Sequence, residues 1–130
     1  MNATSEKKYS AQVVNATTEL TGRQMVALRN FSDMEQLNDL TKENEVIIDI
    51  DYVACVKVHN EKSDNKDYMK YVFVDRNGTR YITGSEPLYR EYTDIKETLE
   101  AGGDTDPISI KVMRKASKNN QNDFLTCVLV

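Results

Sequence analysis

The chain is poor in the residues that build metal and nucleophile sites: its 130 residues include two cysteines and one histidine. That inventory cannot supply a four-ligand zinc site, and it leaves His59 as the only side chain titrating near neutrality by default. Cys55 and Cys127 each lie between apolar neighbours, which suits buried thiols in a reducing compartment better than a disulfide framework. The Asn-x-Ser/Thr triplets at Asn2, Asn15, Asn30 and Asn77 then carry no meaning for glycosylation. Glycine-rich phosphate loops, paired-histidine metal strings and the hydrolase nucleophile elbow are missing. No apolar run reaches the roughly 18 to 20 residues of a membrane span, and Met1 to Gln12 lacks the apolar stretch of a secretory signal. A cytoplasmic binding protein, not an enzyme and without cofactor or metal, is the expected class.

What is present suits a polar globular domain: 39% hydrophobic and 29% charged residues, with mean hydropathy -0.61. One domain of this length buries about two-thirds of its unfolded surface. Residues 1–11 mix Ser, Lys, Asn and Glu without periodicity and read as a disordered lead-in to a single domain over 12–130.

Within that domain, Gln24 to Phe31 reads as a half-buried strand, and Ser32 with Glu35 as a capping box opening a short helix over Asp33 to Leu40. Val46 to Val58 is rich in β-branched residues and puts Ile48, Ile50, Tyr52, Ala54, Val56 and Val58 on one face at period two. Tyr68 to Val74 and Thr79 to Thr83 flank Asp75-Arg76-Asn77-Gly78, an Asn-Gly hairpin signal in which both residues accept positive φ. Ser85 caps a helix with Pro87 in its first turn, ending at Gly102-Gly103, with Leu88, Tyr92, Ile95 and Leu99 as its core stripe. Ile108 to Lys115 and Phe124 to Val130 make a second hairpin, with Ile108, Ile110 and Val112 inward against Ser109, Lys111 and Met113. The expected fold is all-β with one or two short helices: a five-stranded Greek-key barrel of the oligonucleotide-binding (OB) kind. An open β-sandwich or a helix-backed sheet would use the same elements.

The net charge of -4 conceals segregation. Residues 1–51 hold five basic and nine acidic side chains, and residues 82–106 hold two and seven. The hairpin segments reverse this, with six basic and four acidic side chains over 57–81 and four and one over 107–130. If both hairpins share a sheet, Lys57, Lys70, Arg76, Arg80, Lys111, Arg114, Lys115 and Lys118 would line a phosphate track, with the acidic helix facing away. Tyr52, Tyr68, Tyr71, Phe73, Tyr81 and Phe124 interleave with these charges, and aromatic rings beside bound phosphates can stack bases. Aromatic residues also favour strands for packing alone, so each ring carries that plainer explanation too.

Other motifs point less far. Asp49 and Asp51 would share a strand face, and a metal-dependent nuclease would need a third ligand beside them; a solvated acidic patch is the plainer account. His59 enters a polar loop and reads as an exposed histidine without a partner. The run Lys115 to Asn120 reads as a mobile loop.

Tyr71 to Ser85, a helix near Leu88 to Leu99, Ile108 to Lys115 and a hydrophobic end at Phe124 to Val130 resemble, in order and spacing, the small single-stranded DNA-binding proteins of tailed bacteriophages. Thr79, Tyr81 and Thr83 match the family's hairpin pattern, and Lys111 and Lys115 its basic strand loosely; Gly84 and Pro87 depart from its usual Ser-Lys run into the helix. The resemblance spans about residues 20–130, with the weaker part upstream over Thr21 to Val58. It implies an OB barrel that coats single-stranded DNA without base specificity during phage replication in the host cytoplasm. Phage replication proteins are then further partners, and self-association is left open. No acidic tail precedes Leu129-Val130, so partner recruitment is expected to use another surface. The alternative is an acidic phage interaction module that inhibits a host nucleic-acid-binding enzyme.

Overall fold

The computed structural model describes residues 8–117 and 122–130. Its scaffold is a long strand, β3 (Val46–Asn60), whose β-branched run favours extended backbone. Seven strands form one curled, mixed sheet: β1 (Tyr9–Ala16), β2 (Glu35–Gln36), β3, β4 (Asp67–Asp75), β5 (Arg80–Thr83), β6 (Ser109–Ala116) and β7 (Asp123–Leu129). The order is β2-β5-β4-β3-β6-β7, with β1 also on β3. All neighbours are antiparallel except β2 and β5. One edge of β3 is shared: Val46 to Asp49 pair with β6, and Ala54 to Asn60 pair with β1. The chain is thus strand-rich, as expected, with seven strands where five were anticipated. Among the described residues no ladder joins β5 to β7; β5 takes β2 instead, so the sheet is a half-barrel.

The period-two reading of β3 needs correction at Asp51. Ile50 pairs with Asp75 and Tyr52 with Val74, so Asp51 is an extra residue that exchanges the two faces. Ile48 and Ile50 enter one core with Val53, Cys55, Tyr71, Phe73, Leu88, Tyr92, Ile110 and Leu125. Tyr52, Ala54, Val56 and Val58 enter a second core with Leu28, Met34, Val72, Val74 and Ile82. The six residues expected on one face therefore serve both.

Helix α3 (Glu86–Ala101) covers the first core with Leu88 and Tyr92. It starts and stops as its sequence dictates: the Ser85 hydroxyl accepts from the Leu88 amide at 3.2 Å, Pro87 lies in the first turn, and Gly103 has φ +80°. The β4–β5 turn forms where expected, but only Gly78 takes positive φ (+94°). The Gly78 amide donates to the Asp75 carbonyl at 2.8 Å and the Asp75 amide to the Thr79 carbonyl at 2.9 Å, the pattern of a type I turn with a glycine bulge.

Upstream the structure departs from the sequence reading. Gln24 to Phe31 is not a strand: helix α1 (Gly22–Ala27), opened by a capping box at Thr21 and Gln24, occupies its first half, and Phe31 begins a 3-10 turn. The Thr21 hydroxyl accepts from the Gln24 amide at 3.1 Å, and the Gln24 side chain accepts from the Thr21 amide at 2.8 Å. The box expected at Ser32 does not form, because the Asn30 side chain takes both the amide and the hydroxyl of Ser32. A 3-10 turn (Phe31–Asp33), β2 and α2 (Leu37–Leu40) replace the single helix. The lead-in expected over 1–11 falls partly outside the described residues, while Tyr9 to Ala11 already belong to β1.

Candidate nucleic-acid interface

Alternation in β6 and β7 builds one open face. Ile110, Val112, Leu125 and Cys127 are buried, so Lys111, Met113 and Lys115 of β6 and Phe124, Thr126 and Val128 of β7 point away from the core. Register puts Lys115 opposite Phe124, Met113 opposite Thr126, and Lys111 between Val128 and Ile47. Phe124 is 37% exposed and Ile47 56%. A carboxylate of Glu45 lies 3.7 Å from the Lys111 ammonium, and Lys115 is exposed. Two cations, one ring and an apolar shelf thus share a surface that can hold phosphates and stack a base. Ile47, Met113 and Val128 were not among the expected site residues; outward alternation beside Lys111 was the signal for them.

Only Lys111, Lys115 and Phe124 of the expected set come together there. Lys118 lies outside the described residues. Tyr52, Tyr71 and Phe73 are buried, Phe73 completely, and have no ring face for a base. Tyr71 stacks on Tyr89 with centroids 4.5 Å apart, and Phe73 meets Tyr92 edge-on at 5.7 Å. Tyr81 is half-buried against the first core. Tyr68 is half-buried on the second, and its ring lies 5.8 Å from the Lys70 ammonium.

The remaining cations are dispersed, so the single track drawn from charge segregation is not what the sheet presents. Lys57 is exposed at the far end of β3. Lys70 faces the second core's side, beside Val56 in register. Arg80 binds Asp33 at 2.8 Å and the Ala27 carbonyl at 3.2 Å, pinning the segment before β2 to the sheet. Arg76 donates to the Ile50 carbonyl at 3.3 Å, beside the Asp51 bulge. Arg114 reaches the Asn38 carbonyl of α2 at 2.5 Å, while its Nε is buried without a partner among the described residues.

The minor candidates also resolve. The Asp49 carboxylate accepts from the Ser109 hydroxyl at 2.6 Å and lies 3.8 Å from Arg76, while Asp51 is the bulge residue. Among the described residues no three His, Cys, Asp or Glu side chains converge to hold a metal. His59 is not partnerless: Nδ1 meets Asp67 at 2.8 Å and Nε2 meets Glu61, which also binds Lys66. Hydrogen bonds to Asp67 first and Glu61 second raise its pKa above the ordinary histidine value. Burial pushes the Cys127 thiol and the Tyr92 hydroxyl each up to about 12, leaving both protonated at neutral pH. No helix among the described residues is long and apolar enough to cross a membrane. No family model, curated protein or solved structure matches the chain.

Proposed function

We propose that the chain is a sequence-tolerant single-stranded DNA-binding protein, acting in phage replication, that binds through the outer face of β6 and β7. The observation carrying this reading is the exposed Phe124–Lys115 pair, with Lys111 on the same face of β6 four residues away, on a chain that is otherwise acidic. A ring beside a phosphate-binding cation supports stacking that every base can satisfy. In this reading β3 to β7, with α3 between β5 and β6, are an OB-like unit, and β1, α1 and β2 are additions that cover its other side.

Titration of a fluorescent oligo-dT of about 30 nucleotides at two salt concentrations, with a same-length duplex as control, tests it. Binding to the single strand that falls steeply with salt and spares the duplex supports the proposal; absence of binding at low salt rejects it. The exposed carboxylates of α3, at Glu86, Glu91, Asp94, Glu97 and Glu100, favour a second reading as an acidic module that captures a basic host enzyme. That reading gains if the oligonucleotide does not bind and a basic nucleic-acid-binding protein does.

A further inference from the structure

Among the described residues, no strand pairs with the outer edge of β1. The Glu61 amide donates to the Lys8 carbonyl at 2.8 Å, while the Asn60 amide turns the other way to the Lys66 carbonyl at 2.7 Å. Antiparallel alternation from that pair points the peptide groups of Ser10 and Gln12 toward β3 and those of Tyr9, Ala11 and Val13 outward. Among the described residues, β1 makes no backbone hydrogen bond except to β3. Edge strands are normally blunted by lysine, proline or a bulge; Tyr9 to Val13 has none, and the one irregularity in β1 follows Val13.

The flanks of this edge say what fits. Tyr9, Ser10, Ala11 and Arg29 line a recess of about 210 Å³, and Val13, Val14, Leu20 and Met25 line part of another of about 280 Å³. Arg76, Arg80 and Arg90 each hold a carboxylate, whereas Arg23 and Arg29 have no ion-pair partner among the described residues. A second copy paired antiparallel about Ala11 would bring two Arg29 side chains to one short ladder, which like charge opposes. An acidic strand meets no such opposition.

We propose that the outer edge of β1 accepts an extended acidic segment of a partner protein as an added strand. One carboxylate pairs with Arg29, and an apolar side chain an even number of residues away rests against Val14, Leu20 and Met25. The probe is a fluorescein-labelled peptide of alternating glutamate and valine, about eight residues long, with a lysine–valine counterpart. The glutamate peptide is expected to bind and to slow amide exchange at Tyr9, Ala11 and Val13. Ala11→Pro removes an outward amide without touching the β3 ladder and is expected to weaken binding by about tenfold. Arg29→Glu is expected to turn the preference toward the lysine peptide, and it keeps the test open if Ala11→Pro does not fold. Equal binding of both peptides, binding indifferent to both substitutions, displacement by oligo-dT, or self-association lost in Ala11→Pro would each overturn the proposal.

Discussion

The sheet presents two outer surfaces of similar composition and opposite fate. Across β3, β4 and β5, Tyr52 and Tyr68 pack in one cluster with the chain's own Leu28, Phe31 and Met34, and Arg80 is held by Asp33 and the Ala27 carbonyl. Across β6 and β7, Lys115 and Phe124 stay exposed while Lys111 lies beside Glu45. Phe124 and Thr126 border a recess whose other wall is Pro87, Arg90, Glu91 and Asp94, so the acidic α3 does not face away from this surface as expected. Interleaved rings and cations therefore do not identify a binding surface; what matters is whether another segment has apolar residues to spend on it. Residues 20–34 supply such a cover; β6 and β7 have α3 over their inner face, and no apolar cluster among the described residues includes Lys111, Met113 or Lys115 on the outer face of β6.

The largest effect that would break this contrast is loss of the cover. Leu28→Ala should cost about 2–5 kcal/mol of stability, read as a lowered urea midpoint, because Leu28 is fully buried. A cost below about 1 kcal/mol would mean that the segment rests on the sheet without forming a core. Next, Phe124→Ala should weaken single-strand affinity by about 1–3 kcal/mol with little change in stability. Tyr52→Phe, beneath the cover, should leave affinity unchanged; the reverse pattern would move the binding face to β3–β5.

Smaller effects sharpen the comparison. Lys115→Ala should reduce the slope of log affinity against log salt by about one unit, for one lost phosphate contact, and an unchanged slope would make Lys115 merely solvated. A double-mutant cycle on Arg80 and Asp33 should return about 0.2–1 kcal/mol, since the Asp33 carboxylate is largely exposed. The smallest effect is at His59, whose raised pKa makes its pairing stabilising below the ordinary histidine range and lost as pH rises through the folded value. The stability difference between wild type and His59→Gln should therefore shrink from about pH 5 to pH 8, and a constant difference would detach His59 from both carboxylates.

Much of the fold was legible. The β4–β5 turn, α3 with its caps and the β6–β7 hairpin lie where Asn77-Gly78, Ser85, Gly102-Gly103 and the alternation at Ile110 and Val112 put them. The region before β3 was not, because Thr21-Gln24 and Ser32-Glu35 offer the same capping chemistry. At Ser32 the amide and hydroxyl go to the Asn30 side chain and Glu35 joins β2 opposite Tyr81, so only the Thr21 box forms. β1 was missed because an uncharged eight-residue run becomes a strand only through its partner β3.

The sequence by itself determined the features that need only short-range contacts: a glycine with positive φ at the turn, the hydroxyl cap of α3, and the two-residue period of each strand. Period two sorts residues into two sets without saying which set faces which core, and one extra residue at Asp51 exchanges the sets partway along β3. Asp75 holds that exchange in place, accepting from the Asp49 amide at 3.0 Å and from the Asn77 amide at 2.9 Å. Which rings are sealed, which cations are spent on the chain's own carbonyls and carboxylates, and which strand edge stays open are decided only by the tertiary structure. Each depends on groups far apart in sequence competing for the same surface.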